Sequence, residues 1–448
     1  MQDIYDYIDQ HADEYVQRLQ ALCRQPSIAA QNRGMAETAD MVRALLSGIG
    51  AETRVLPTQG YPVVFGQISG EASKTLSFYD HYDVQPPEPL ELWQSDPFAA
   101  EVRDGRIWAR GVADNKGNLV ARACAVEAYQ KVRGTLPLRV KFVVEGEEEI
   151  GSPHLPAFAA DHSALLAADG CIWEAGYKDT QGRPEIYLGV KGILYVELRA
   201  SGANIDLHSS WATVIPNPAW RLVWALSTLK DQDEQILIPG FYDAVREPTP
   251  EEIDALERMG FDEDGVLRHL GLDRFLKELS GTDLLVKHIF QPTCTICGIG
   301  SGYQGTGSKT VLPNQAFAKI DFRLVPDQDP HRIHELLRQH LDTQGFADIE
   351  IELLGPEHPA RTPMDDPLAD VVVDTARQVY GVEPVVYPLT AGTGPMYDLC
   401  QKLGIPAVST GVGNAESNNH APNENIFVAD YIQGIKHIAL IMDSYAQS

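Results

Sequence analysis

An α/β protein with a mainly parallel sheet, helices on both of its faces and a smaller α+β domain inserted into it is what this chain of 448 residues predicts. Three observations carry that expectation. Strand-like apolar runs alternate with helix-like segments up to about residue 175, the texture of parallel strands joined by crossover helices. From Tyr187 the pattern changes to period two, as in half-buried antiparallel strands. Past Gly345 the first texture returns, so residues 1–187 and 346–448 are expected to form one domain that 188–345 interrupt.

Taken in order, Ile4, Ile8, Tyr15, Leu19 and Leu22 recur at helical spacing and predict a first helix docked by its apolar stripe. The runs 76–79 and 138–144 read as buried strands, with a helix-compatible stretch at 117–131 between them. In the inserted part, Leu194-Tyr195-Val196-Glu197-Leu198-Arg199 and Ala316-Phe317-Ala318-Lys319-Ile320-Asp321-Phe322-Arg323 alternate as strands, and Ile333, Leu336, Leu337, His340 and Leu341 mark a helix. The last third offers a helix at 367–380, short strands at 385–387 and 406–408, and a closing helix carrying Ile432, Ile435, Ala439 and Met442.

Composition narrows the function. With 36 basic against 63 acidic residues the formal charge is −27, which argues against nucleic acid or an anionic membrane as partner. No apolar stretch is long enough to cross a bilayer. The start, Met1-Gln2-Asp3-Ile4-Tyr5, predicts no secretory leader, and six thinly spread cysteines fit a reduced, cytoplasmic protein. Two motif matches are decoys. Cys294-Thr295-Ile296-Cys297 lacks the second pair of a zinc knuckle, and Gly300-Ser301-Gly302-Tyr303-Gln304-Gly305 is followed by strand and turn where a dinucleotide fingerprint requires a helix.

The chemistry begins at Glu147, Glu148 and Glu149, just past the run 138–144. Three carboxylates at the end of a buried strand repel one another unless a cation holds them. A bound divalent ion answers this, and further ligands stand in one shared context. His81 and Asp83 follow the run 76–79, Asp114 follows Ile107-Trp108-Ala109, and Glu174 follows Cys171-Ile172-Trp173. Each is where a strand hands over to a loop, the edge at which open α/β sheets bind ligands. His420 adds an imidazole from a turn-rich loop far downstream.

Two metals roughly 3.5–4 Å apart need a bridging carboxylate and terminal His or carboxylate ligands. Asp114 suits the bridge, His81 and Glu174 one ion, and Glu149 and His420 the other. Asp83 is placed to accept the second N–H of His81 and fix its tautomer. Glu148 remains as a non-ligating carboxylate, fit to take the proton of an attacking water and return it to the leaving amine. Glu147 is expected to face solvent.

The segments Tyr79-Asp80-His81-Tyr82-Asp83-Val84-Gln85-Pro86, Arg110-Gly111-Val112-Ala113-Asp114-Asn115-Lys116-Gly117, Glu145-Gly146-Glu147-Glu148-Glu149-Ile150-Gly151-Ser152 and His420-Ala421-Pro422-Asn423-Glu424 resemble those of the M20 metallopeptidases, in the same order and through nearly the whole chain. The dipeptidase branch, with its carnosinase-type enzymes, is the nearest likeness. That resemblance implies a catalytic domain holding two divalent ions, zinc first and manganese or cobalt compatible, split by a lid or dimerisation domain. It implies a homodimer, a small peptide as substrate, and a cis peptide at Asp114-Asn115. It further implies that His208 of Asp206-Leu207-His208-Ser209 reaches across the dimer to polarise the scissile carbonyl. Arg323, with Gly392 and Thr393 of Gly392-Thr393-Gly394-Pro395, corresponds to the groups that hold the substrate carboxylate. Two departures stand out. Asp80 occupies a position usually glycine, either adding charge near the metals or pointing away, and Glu174 stands where the dipeptidase branch commonly has aspartate.

The expected reaction is hydrolysis of the amide bond of dipeptides or short peptides with a free C-terminal carboxylate, by metal-activated water with Glu148 as general base. The same centre serves an N-acyl amino acid deacylase equally well. A mononuclear iron oxygenase, using His81, Asp83 and His420 as a facial triad, is the rival from another class, and it leaves Asp114, Glu148, Glu149 and Glu174 idle.

Overall fold

All seven residues of the strand Thr75–His81 are buried, and the large sheet of the computed structural model, which describes residues 1–448, is laid around it. Eight strands follow in the order Glu52–Leu56, Val63–Ile68, Arg139–Glu145, Thr75–His81, Gly170–Trp173, Ala407–Ser409, Glu185–Tyr187 and Val385–Tyr387. The central block from Arg139–Glu145 to Ala407–Ser409 is parallel throughout. Pairing turns antiparallel at the two strands before that block, and again between Ala407–Ser409 and Glu185–Tyr187.

Side chains alternate across a strand, so Phe78 and Phe142 enter one layer while Tyr79 and Val143 enter the other. The first layer is thick, built from the helices Gln2–Gln10, Ala12–Cys23, Met35–Gly48, Lys116–Arg133, Pro367–Tyr380 and Val428–Tyr445. Lys116–Arg133 lies between the sheet and the outer helices, which explains an Ala-rich sequence that is buried nearly all round. The second layer is thin, with Leu155–Asp161 and Met396–Leu399.

The helical spacing from Ile4 to Leu22 spans two helices rather than one, separated at His11 (φ −107°, ψ 12°). The His11 ring stacks on Tyr7 at 3.9 Å and its Nδ1 donates to the Tyr7 carbonyl at 2.8 Å. A single-residue break leaves Ile4, Ile8, Tyr15, Leu19 and Leu22 in one core, so periodicity alone does not reveal it.

The inserted part is a four-stranded antiparallel sheet ordered Thr295–Ser301, Gln315–Leu324, Gly192–Ser201 and Glu350–Glu357. One face packs Leu194, Val196, Ile320 and Phe322 against the helices Pro218–Leu226 and Pro330–Thr343. The strand Glu350–Glu357 lies past the expected boundary at residue 345, which is therefore too early. Its alternation at Glu350-Ile351-Glu352-Leu353 is cut short by Leu354-Gly355-Pro356, and edge pairing more than burial makes it a strand. The two links to the large domain pair with each other, Gly189–Val190 against Ala360–Arg361. Within the insertion, Leu256, Met259, Leu285 and Ile289 leave the small sheet and pack on Val385 and Leu389 at the edge of the large one. No helix is long and apolar enough to cross a membrane.

Candidate metal centre

Because the central strands are parallel, their C-terminal ends share one edge. His81 ends Thr75–His81, Glu148 and Glu149 open a short turn after Arg139–Glu145, Glu174 follows Gly170–Trp173, and His420 lies in the loop after Ala407–Ser409. Asp114 arrives by another route. The strand before it, Arg106–Trp108, belongs to a separate antiparallel sheet with Glu101–Arg103 and Asn425–Phe427, and not to the large sheet as its apolar run suggested. The peptide between Asp114 and Asn115 is cis.

Asp114 sits in the middle of the cluster. Its Oδ1 is 3.0 Å from His81 Nε2 and its Oδ2 is 3.1 Å from His420 Nε2. Glu174 Oε2 lies 3.4 Å from the same His81 nitrogen, and Glu149 Oε2 lies 3.2 Å from that of His420. One oxygen of Asp114 thus shares a side with His81 and Glu174, the other with His420 and Glu149. His81 is buried and His420 exposed, so the cluster opens to solvent on the His420 side.

Left to themselves these side chains conflict. His81 Nδ1 faces the Asp83 carbonyl oxygen at 3.1 Å, which places the ring hydrogen there. Burial opposes charge on His81, yet its bonds to Asp114 and Asp83 push it well above the ordinary imidazole value, so without a metal a proton on Nε2 stands between the ring and two carboxylate oxygens, and Glu174 Oε2 is buried with no hydrogen-bond partner. Burial first, and then the Glu174 carboxylate, pushes Glu148 well above the ordinary carboxylate range. Burial likewise pushes Glu174 up to about 8. His420 rises to about 10 through its bonds to Asp114 and Glu149. Cations in place of the imidazole protons would meet the same nitrogens and carboxylates and relieve the crowded acids, and the donor set fits two: His81, Glu174 and one Asp114 oxygen, then His420, Glu149 and the other.

Glu148 stands beside this set with its carboxyl bonded to no other side chain, while its backbone N–H donates to Asp83 Oδ1 at 3.3 Å. The Glu149 amide donates to Asp83 Oδ2 at 3.0 Å. Asp83 therefore ties the His81 strand to the Glu148 turn, and its carboxylate is the more distant partner of His81 Nδ1, at 3.4 Å. A facial triad is not formed, because Asp83 lies beside Nδ1 of His81 whereas His420 lies on the Nε2 side. Glu147 does not face solvent. It is buried, pairing with the nearby His154 Nδ1 at 2.8 Å and accepting at 3.2 Å from the Tyr61 amide, which comes from a segment too distant in sequence to anticipate.

Four supporting residues escaped the sequence reading. Arg122 donates to the carbonyls of Tyr79 (2.5 Å), Trp173 (2.6 Å) and Glu174 (3.1 Å), gathering the ends of neighbouring strands under the centre. Its charge is met by Asp80 Oδ1 at 2.8 Å, so Asp80 points away from the ligands; burial pushes that carboxyl up to about 6 against the pull of Arg122. Glu424 accepts from Arg110 and the Gly111 and Ala113 amides, each at 2.8 Å, and from the Asp114 amide at 3.1 Å, which fixes the backbone that presents Asp114. Gln85 Nε2 donates to Glu149 Oε2 at 2.9 Å. Lone buried charges carry no local pattern. Only the presence of Arg110, Gln85 and Glu424 in the quoted segments hinted at them.

The remaining site residues divide. Arg323 Nη1 donates to Thr393 Oγ1 at 2.6 Å, and a Cβ built on Gly394 would lie 3.9 Å from Glu174 Oε1, so this pair borders the centre. The Gly392 amide donates to Thr390 Oγ1 at 3.3 Å and the Gly392 carbonyl accepts from the Lys191 amide at 2.8 Å. His208 is not brought to the cluster within its own chain. It is exposed on the insertion, bonded only to Ser210 at 2.9 Å.

The sequence profile of peptidase family M20/M25/M40 matches residues 77–444. The Beta-Ala-His dipeptidase of Mus musculus is 28% identical over 98% of this chain and 94% of its own length. The Cys-Gly metallodipeptidase dug1 of Schizosaccharomyces pombe is 27% identical over 97% of this chain and 96% of its own. Among solved structures, the M20 family metallo-carboxypeptidase Sso-CP2 from Sulfolobus solfataricus superposes with a TM-score of 0.92 at 42% identity, covering 97% of this chain and 100% of that one.

Proposed function

We propose, for a chain that belongs to peptidase family M20/M25/M40, that it hydrolyses the amide bond of dipeptides or short peptides carrying a free C-terminal carboxylate, with two divalent ions held by His81, Asp114, Glu149, Glu174 and His420. The observation that carries this reading is Asp114, whose two oxygens each approach a different imidazole–carboxylate pair. Zinc suits a set with one imidazole among carboxylates on each side, and manganese or cobalt are compatible. Such ions supply Lewis-acid polarisation of a carbonyl and acidify water.

The rest is done by the chain's own groups. Arg323 and Thr393, with the Gly392 loop, grip the substrate carboxylate, since a guanidinium fork matches a carboxylate in geometry as well as charge. That grip sets the scissile amide over the centre. Glu148, free of other hydrogen bonds, takes the proton from the attacking water and delivers it to the leaving amine. Asp83 keeps Glu148 and His81 in register through the Glu148 and Glu149 amides.

A homodimer completes the site in this reading, with His208 of one copy donating to the developing oxyanion in the other. Trp220 and Trp224, 58% and 54% exposed and stacked at 6.0 Å on the helix Pro218–Leu226, offer the insertion an apolar face for a second copy. Six free cysteines suit a reducing, cytoplasmic setting. The test is apo-protein reloaded with single metals and offered dipeptides beside acetyl and succinyl amino acids. Metal-dependent release of free amino acids from dipeptides is expected. Turnover confined to acylated amino acids moves the assignment to a deacylase, and metal-independent turnover overturns it.

A further inference from the structure

The small sheet has a second face that its own helices leave open. Its register sets Arg323 opposite Ile193 and Ile193 opposite Glu357, and two residues along, Asp321 opposite Tyr195 and Tyr195 opposite Gly355. Directly opposed residues of antiparallel strands point to one side. Leu194, Val196, Ile320 and Phe322 fill the other side with the helices. The Arg323 face therefore looks at the large domain, where Ile150 and Pro153 on one segment and Gly394 and Tyr397 on another close a cavity of about 510 Å³. That volume is in the range of small-molecule sites. Ile150 follows Glu149 and Gly394 follows Thr393, so the cavity starts where the hydrolytic turn and the carboxylate grip end.

Its walls are mixed in a directed way. Ile150, Pro156, Ile193, Tyr195 and Tyr397 give apolar surface, Glu357 and Asp398 are the acids, no lysine or arginine lines it, and burial holds its one imidazole, His358, below the ordinary imidazole value. Arg323 bonds Asp321 and Thr393 and reaches Glu357 by charge alone, burial still raising the Glu357 carboxyl, and Lys402 meets Asp398 only at 3.4 Å. We infer that this cavity receives the side chain of the substrate's C-terminal residue and selects apolar or basic side chains against acidic ones. The inference rests on the proposed function, because Arg323 and Thr393 must hold the carboxylate for that side chain to point here. An apolar chain packs on Tyr195 and Tyr397, a basic one reaches Glu357, and an acidic one brings another carboxylate to a half-buried acid.

The test compares kcat/KM for Ala-Lys, Ala-Leu and Ala-Glu on the metal-loaded protein, with calorimetric binding of free lysine and glutamate as an independent readout. Ala-Lys and Ala-Leu are expected to exceed Ala-Glu by about tenfold or more. Glu357→Gln should bring the Lys-to-Glu ratio toward one in both readouts, with Asp398→Asn moving it the same way should the first variant fail to fold. Tyr195→Ala should lower Ala-Phe relative to Ala-Ala. If dipeptides are cleaved without discrimination, or the ratio ignores Glu357→Gln, the cavity inference falls and the hydrolase stands. If no dipeptide is cleaved, the hydrolase falls, and equal binding of lysine and glutamate then rejects the cavity separately.

Discussion

Replacing Glu424 by glutamine keeps the volume of the side chain but removes one acceptor oxygen and the charge. Oε2 accepts from Arg110 and the Gly111 amide, and Oε1 from the Ala113 and Asp114 amides. Glutamine has a single acceptor oxygen, so in either orientation its NH₂ meets two donors, and Arg110, 1% exposed, loses its counter-charge. Two orphaned buried donors at roughly 1–3 kcal/mol each give about 2–6 kcal/mol. Breaking a buried ion pair by removing one partner costs about 3–5 kcal/mol. The two figures describe overlapping contacts, so about 3–5 kcal/mol is expected in all, not their sum. At about 2–4 °C per kcal/mol for a large domain, calorimetry of the metal-free protein should show its midpoint lowered by about 6–20 °C. Metal affinity should weaken by about 10–100-fold, as for other groups that orient a ligand from behind. A midpoint lowered by less than about 2 °C with unchanged metal affinity would refute the reasoning, because Glu424 would then not be what presents Asp114.

Glu148→Gln should retain metal, by elemental analysis, while turnover falls by about 10²–10⁴-fold; lost metal would make Glu148 a ligand. Arg323→Ala should raise KM for peptides by roughly 10–150-fold, the worth of a charge-assisted hydrogen bond, and leave the poor hydrolysis of C-terminally amidated peptides unchanged. His208→Ala should lower kcat by about 10²–10³-fold, and mixing it with Glu148→Gln should regain activity through hybrid dimers. An inactive mixture that sedimentation shows to have exchanged subunits would remove His208 from the partner's site.

The parallel core was legible because its signal is local. The runs 76–79 and 138–144 are apolar on both faces, as strands covered by helices must be, and the helix ends at 367 and 380 were plain from Pro367 and Gly381. The gathering of the candidate ligands was legible for a related reason, since acids and imidazoles directly after buried strands are out of place unless they bind something. What was hidden depends on contacts distant in sequence. Glu147 reads as solvated until the Tyr61 amide, from a remote segment, and the nearby His154 cover it, and Arg122 reads as a helix surface until the strand ends at Tyr79 and Trp173 take its guanidinium. The strand Glu350–Glu357 begins in period two at Ile349-Glu350-Ile351-Glu352-Leu353, but Leu354-Gly355-Pro356 breaks the pattern, and its pairing along Gly192–Ser201 is what extends it and ties it to the insertion. The break at His11 is silent because the apolar stripe continues across it.

The most direct measurement is anomalous diffraction from crystals of the zinc-loaded protein. The expected result is two peaks roughly 3.5–4 Å apart, with one Asp114 oxygen on each, His81 and Glu174 on the first, Glu149 and His420 on the second, and Glu148 on neither. A single peak, or two peaks that do not share Asp114, would contradict the paired-ion centre.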